Sequence, residues 1–102
     1  MAVVEYSDDD DFAERIGELI LGGIPIRMAL RGKYRDLLAS HIVAGTLVDP
    51  ARIGTIPSLQ TFLAAVMLAA GAEQPVSYST EGNTIVVSIG DRGNPTQDDP
   101  GK

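Results

Sequence analysis

The spacing of apolar and polar positions changes period several times along the chain. Ala2-Val3-Val4-Glu5-Tyr6 is short and rich in β-branched residues, which predicts a strand. Ser7 and the acids after it place cap residues and negative charge ahead of Phe12, Ile16, Leu19 and Ile20. Those four positions are spaced i, i+4, i+7 and i+8, so an amphipathic helix of about fourteen residues is expected, ended by Gly22-Gly23. A second helix is expected over 25–45, because Pro25 suits a first turn and Ile26, Leu30, Tyr34, Leu37, Leu38, His41, Ile42 and Gly45 fall on one stripe. Gly32 inside that stripe marks a kink or a close crossing. Asp49-Pro50 predicts one short turn through Arg52 with Asp49 as its cap, and Pro57 opens a third helix that runs to about Ala70 and is closed by Gly71. From Pro75 to Ile89 the period becomes two. Val76, Tyr78 and Thr80 alternate with serines, and Ile85, Val87 and Ile89 alternate with Val86 and Ser88, which predicts a β-hairpin around Glu81-Gly82-Asn83.

The order β-α-α-α-β-β reads as one α+β domain over 1–89. In it a small antiparallel or mixed three-stranded sheet, the N-terminal strand plus the hairpin, packs on three helices. From 90 to 102 the only apolar side chains are two prolines, so that stretch is expected to be a disordered polar tail.

Composition narrows the function classes. With 102 residues, 44% of them hydrophobic, the chain supports a single core. The absence of cysteine excludes disulfides, zinc–thiolate sites and thiol nucleophiles. The net charge of −6 is unevenly laid out: residues 1–22 and 61–102 are acidic, while 23–60 carry Arg27, Arg31, Lys33, Arg35 and Arg52 against Asp36 and Asp49. Overall acidity argues against general nucleic-acid binding, which draws on a positive field. The uncharged run 53–72 is broken by Gly54, Pro57, Ser58, Gln60 and Thr61, so its dense apolar part is far short of the ~20 residues that span a bilayer. The first ten residues contain no base, as a secretory signal would require, and a cytoplasmic location is expected. Arginine in excess of lysine, with abundant alanine and glycine, suggests a GC-rich bacterial source.

Four features could carry function. The third helix is apolar on both faces: Leu59, Phe62, Leu63, Val66, Met67 and Ala70 lie on one, and Ala64, Ala65, Leu68 and Ala69 on the other. It is therefore either the centre of the core or a self-association surface built on Leu59, Phe62, Leu63, Val66, Met67 and Leu68. Arg27, Arg31 and Arg35, spaced by four on the expected second helix, form a cationic row which with Lys33 and Tyr34 would dock an anionic partner; the plainer reading is a solvated face. Asp8, Asp9, Asp10 and Asp11 suit helix capping better than Ca²⁺, whose loop needs spaced ligands and a glycine, though they could also face a basic target. His41 is the single histidine and lacks ligand types at i±3 and i±4, so a structural role is expected.

No phosphate loop, metal set or nucleophile–base spacing is present in the sequence, so neither catalysis, nor a cofactor, nor a metal is expected. The expected function is a small non-catalytic adaptor that self-associates through helix 57–70 and docks an acidic or amphipathic protein through the cationic row. Two other classes compete with it. One is an acidic regulator or inhibitor that caps a basic target through residues 5–18, and the other is an assembly component of a phage or particle.

Overall fold

The computed structural model describes residues 1–90. Strand β1 (Ala2–Glu5) leads into helix α1 (Asp10–Leu21), and strand β2 (Ile26–Leu30) returns parallel to β1. Helix α2 (Lys33–Ala39), a small hairpin of β3 (Ile42–Val43) and β4 (Thr46–Leu47), and the single turn α3 (Pro50–Ile53) follow. A 3₁₀ turn (Pro57–Leu59) opens helix α4 (Gln60–Gly71), and the hairpin β5 (Val76–Glu81) and β6 (Thr84–Ile89) completes the fold. The main sheet has the order β1-β2-β6-β5 and is mixed: β1 and β2 are parallel, and β6 is antiparallel to both β2 and β5. The α+β class read from the sequence stands, with a fourth strand in the sheet and a second, two-stranded sheet beside it. Beyond Gly90, the expected tail lies outside the described residues.

The extra strand comes from the segment expected to be one long helix over 25–45. Ile26, Met28 and Leu30 are fully buried while Arg27 and Ala29 are only partly so, an alternation of period two. A spacing of four is common to both periods, since positions i and i+4 share a helix face and a strand face alike. Ile26 and Leu30, or Arg27 and Arg31, therefore could not tell the two apart. Gly32 decides the matter: its φ of 61° and ψ of −130° lie in a region that L side chains avoid, so no helix can pass through it. Ala44 and Gly45 both have positive φ and form the two-residue turn between β3 and β4, where the helix was expected to end.

Both long helices close with the same hydrogen-bonded motif. After α1, Gly23 Nα donates to the Ile20 carbonyl and Ile24 Nα to the Leu19 carbonyl, with Gly23 at φ 74°. After α4, Glu73 Nα donates to the Ala70 carbonyl and Gln74 Nα to the Ala69 carbonyl, and here the left-handed position is Glu73, at φ 59°. Gly71, expected as the stop, lies inside the helix. Asp49 is not a side-chain cap for α3 but a left-handed residue at φ 51°.

The core lies between one face of the sheet and the helices. Phe12, Ile16 and Ile20 of α1, Phe62, Ala65 and Ala69 of α4, and Ile26, Met28, Leu30, Ile85, Val87 and Ile89 of the sheet meet there. Tyr6 ties this core together. Its ring packs edge-to-face on Phe12, Tyr34 and Phe62 at centroid distances of 5.3, 4.9 and 6.2 Å. Its hydroxyl donates to the Ser58 carbonyl at 3.0 Å and accepts from the Phe62 backbone N–H at 2.9 Å. That N–H belongs to the first turn of α4, where Leu59 at the cap position offers no side-chain acceptor. The N-terminus of α4 is thus capped by a residue from the other end of the described chain.

Candidate interaction surface

The same alternation that turns Ile26, Met28 and Leu30 inward turns Arg27, Ala29 and Arg31 to the face of the sheet opposite the core. The strand register assembles that open face row by row. Val3 lies beside Arg27, which lies beside Ser88 and then Ser77. Glu5 lies beside Ala29, which lies beside Val86 and then Ser79. Thr84 lies beside Glu81 at the end nearest Arg31. Val3, Arg27, Ala29, Arg31, Glu81, Thr84 and Val86 line a concave site of about 320 Å³.

Its charges are internally matched. Arg27 pairs with Glu81 across the intervening strand β6. Val86 sits on β6 beneath this bridge and is only 6% exposed although it faces away from the core, as expected where an arginine stem lies over an apolar side chain. Arg31 holds Glu5 at 2.7 Å and places its Nε 3.3 Å from the Thr84 hydroxyl. The outcome is an apolar floor of Val3, Ala29 and Val86 edged by two arginines and two glutamates. All four charged side chains keep roughly half of their surface in water, so the pairs add little to stability and can be remade with a partner.

The expected cationic row is thus divided. Arg27 lies on β2 and Arg31 directly follows it toward the same face, neither of them on a helix, and each is neutralised by a carboxylate. Lys33, Tyr34 and Arg35 belong to α2. The Lys33 ammonium lies 5.3 Å from the Tyr34 ring centroid, Arg35 pairs with its neighbour Asp36, and the Tyr34 hydroxyl donates to Asp8 at 3.2 Å. Burial, with the Asp8 charge beside it, raises the Tyr34 phenol above its ordinary value.

The acidic run does the work of a helix start. Asp9 caps α1 by accepting the Phe12 N–H at 2.8 Å, and it also accepts the Ser7 hydroxyl at 2.7 Å. The Ser7 bond, followed by the Phe12 bond, holds its carboxyl below the usual range. Asp10 and Asp11 lie exposed in the first turn, and with Glu14 and Glu18 they make no ion pair to another described residue. His41 follows α2 and is half-buried; its backbone N–H donates to Leu38 and its carbonyl accepts from Val48.

The apolar helix is covered from several sides within the chain. Leu59 and Phe62 have no exposed surface, which removes them from any oligomer interface on the folded protein. Leu63, Val66 and Leu68 are half-buried; Met67, at 61% exposure, faces solvent along with Ala64 and Ala70. α1 packs on one side, where Leu68 lies near Gly17; α3 lies on another, where Gly54 meets Leu63; the sheet lies beneath.

From the sequence Glu5 belongs to the acidic stretch 5–18 and Glu81 to the hairpin turn, so neither is expected beside the arginines. Pairing them with Arg27 and Arg31 required the strand order, which no local pattern encodes. Among the described residues, no group of three or more His, Asp or Glu is placed to hold a metal ion, and no helix is long and apolar enough to cross a membrane. No family model, no curated protein and no solved structure matches the chain.

Proposed function

We propose that the protein is a non-catalytic interaction module whose contact surface is the open face of the main sheet, and that it takes the apolar side of an amphipathic segment of another protein. The observation that carries this reading is the concave site of about 320 Å³, with its floor of Val3, Ala29 and Val86 and its rim of Arg27, Arg31, Glu81 and Thr84, Glu5 being held beside it by Arg31. A wholly acidic partner is disfavoured, because it would compete with carboxylates already on both arginines. An amphipathic segment instead buries its apolar side on the floor and meets a rim of both signs with its flanking charges.

The test is a panel of amphipathic helical peptides with acidic, basic or mixed flanks, followed by amide chemical shifts in the protein. Mixed-flank peptides should shift Val3, Ala29 and Val86 most, and Ala29→Lys should abolish the effect without altering the fold. The acidic-regulator reading draws support from Asp10, Asp11, Glu14 and Glu18 on α1, which make no ion pair to another described residue. Basic peptides whose shifts centre on that helix would favour it and overturn the sheet-face reading.

A further inference from the structure

Among the described residues β1 pairs with β2 alone, so one side of it is an open sheet edge. The hydrogen bonds say which groups it presents. Ala2 and Tyr6 donate their N–H groups to Pro25 and Ala29, toward β2. In an extended strand the direction alternates, so Val3 and Glu5 turn their N–H and C=O groups outward. The opposite edge, β5, differs: it carries serines, and the β3–β4 hairpin lies against it, with Gly45 close to the Tyr78 carbonyl. Edges of soluble proteins are ordinarily blunted by lysine, proline or a bulge. Ala2–Glu5 has none of these, its one charge is already held by Arg31, and Val3 is 74% exposed.

We infer that β1 pairs antiparallel with β1 of a second copy of this chain about a two-fold axis at Val4, joining two four-stranded sheets into one of eight strands. The segment is self-complementary in that register. Val3 of each copy stands opposite Glu5 of the other, so the outward N–H and C=O groups of both residues are satisfied in two hydrogen-bonded pairs. The half-buried Val4 side chains meet on the helix side, in the closer, non-hydrogen-bonded kind of pair. On the open face, Glu5 of the second copy comes next to Val3 and therefore two strands from Arg27, the separation Arg27 already bridges across β6 to Glu81. Each Glu5 then lies between Arg31 of its own chain and Arg27 of the other, so charges of opposite sign alternate across the junction. The pairing rests on the backbone edge of β1 and not on the reading proposed for the sheet face, although Val3, Glu5 and Arg27 border both surfaces.

Light scattering on the full chain from about 10 µM to about 1 mM tests it by mass action. The mass should double with concentration, and the Val3 and Glu5 amides should become protected from hydrogen exchange in step, while Ala2 and Tyr6 stay unchanged. Val3→Pro removes an outward N–H that β2 does not use and should weaken association at least tenfold; Val3→Thr keeps that donor and should associate as the wild type does. A monomer throughout overturns the inference. So does a dimer whose Val3 and Glu5 amides exchange freely, or one indifferent to Val3→Pro, and the wild-type exchange data decide the matter even if the proline variant fails to fold.

Discussion

Removing the Tyr6 hydroxyl isolates one structural device with little change of shape. In Tyr6→Phe the ring keeps its edge-to-face contacts, while the Ser58 carbonyl loses a donor and the Phe62 N–H loses its acceptor. Tyr6 is 3% exposed and Phe62 is fully buried, so water cannot take over both roles. Leaving a buried backbone group unpaired costs about 1–3 kcal/mol, so a loss of about 2 kcal/mol is expected. For a domain of this size that lowers the Tm by about 8–16 °C. Urea and thermal unfolding followed by far-UV circular dichroism measure both quantities. The same residue predicts an alkaline signature. Burial pushes the Tyr6 phenol up to about 12 from an ordinary value of 10.0. Between these two pH values the unfolded chain releases the proton and the folded chain keeps it, so stability is unaffected below pH 10 and falls as pH rises toward 12. Two pH units correspond to about 3 kcal/mol. The Tyr6→Phe variant should lose correspondingly less over that window, whereas Tyr34 and Tyr78, both raised by burial, contribute to wild type and variant alike. A cost below about 0.5 kcal/mol at neutral pH, or parallel alkaline curves for the two proteins, would refute the capping role.

Two backbone positions make further predictions, each read from urea midpoints. Glu73 occupies the left-handed position that Gly23 fills after α1, so Glu73→Gly should stabilise by about 0.5–1 kcal/mol; a loss would mean that its side chain matters more than its backbone. Gly32→Ala should cost about 1–3 kcal/mol although an added Cβ there meets nothing within 4 Å, because the penalty is conformational; a neutral result would show that the β2–α2 junction can relax.

What the sequence made legible was whatever a single local period could encode. The β5–β6 hairpin alternates over both strands, and α1 carries both a cap and a stripe, so these elements were found within a few residues of their bounds. The segment 25–45 failed for the opposite reason: its clearest repeat, every fourth residue, fits a helix and a strand equally, and the deciding signal was one glycine's dihedral angles. The surface suffered most from this. Arg27 and Arg31 were recognised as a pair, but the carboxylates that neutralise them come from β1 and β5, strands that only the sheet order brings within reach. Tyr6 was legible as the end of the first strand, yet nothing near it in sequence announces that its hydroxyl caps a helix beginning at Gln60.

The strand order also governs when this protein can fold. Its central pair joins Ile26–Leu30 to Ile85–Ile89, so during synthesis β2 waits for nearly every later residue before its antiparallel neighbour exists. Until then β1, α1 and β2 form a two-stranded unit with one helix, too small to be stable alone. The full sheet can therefore close only once residues 85–89 have been made, a late step set by contacts remote in sequence.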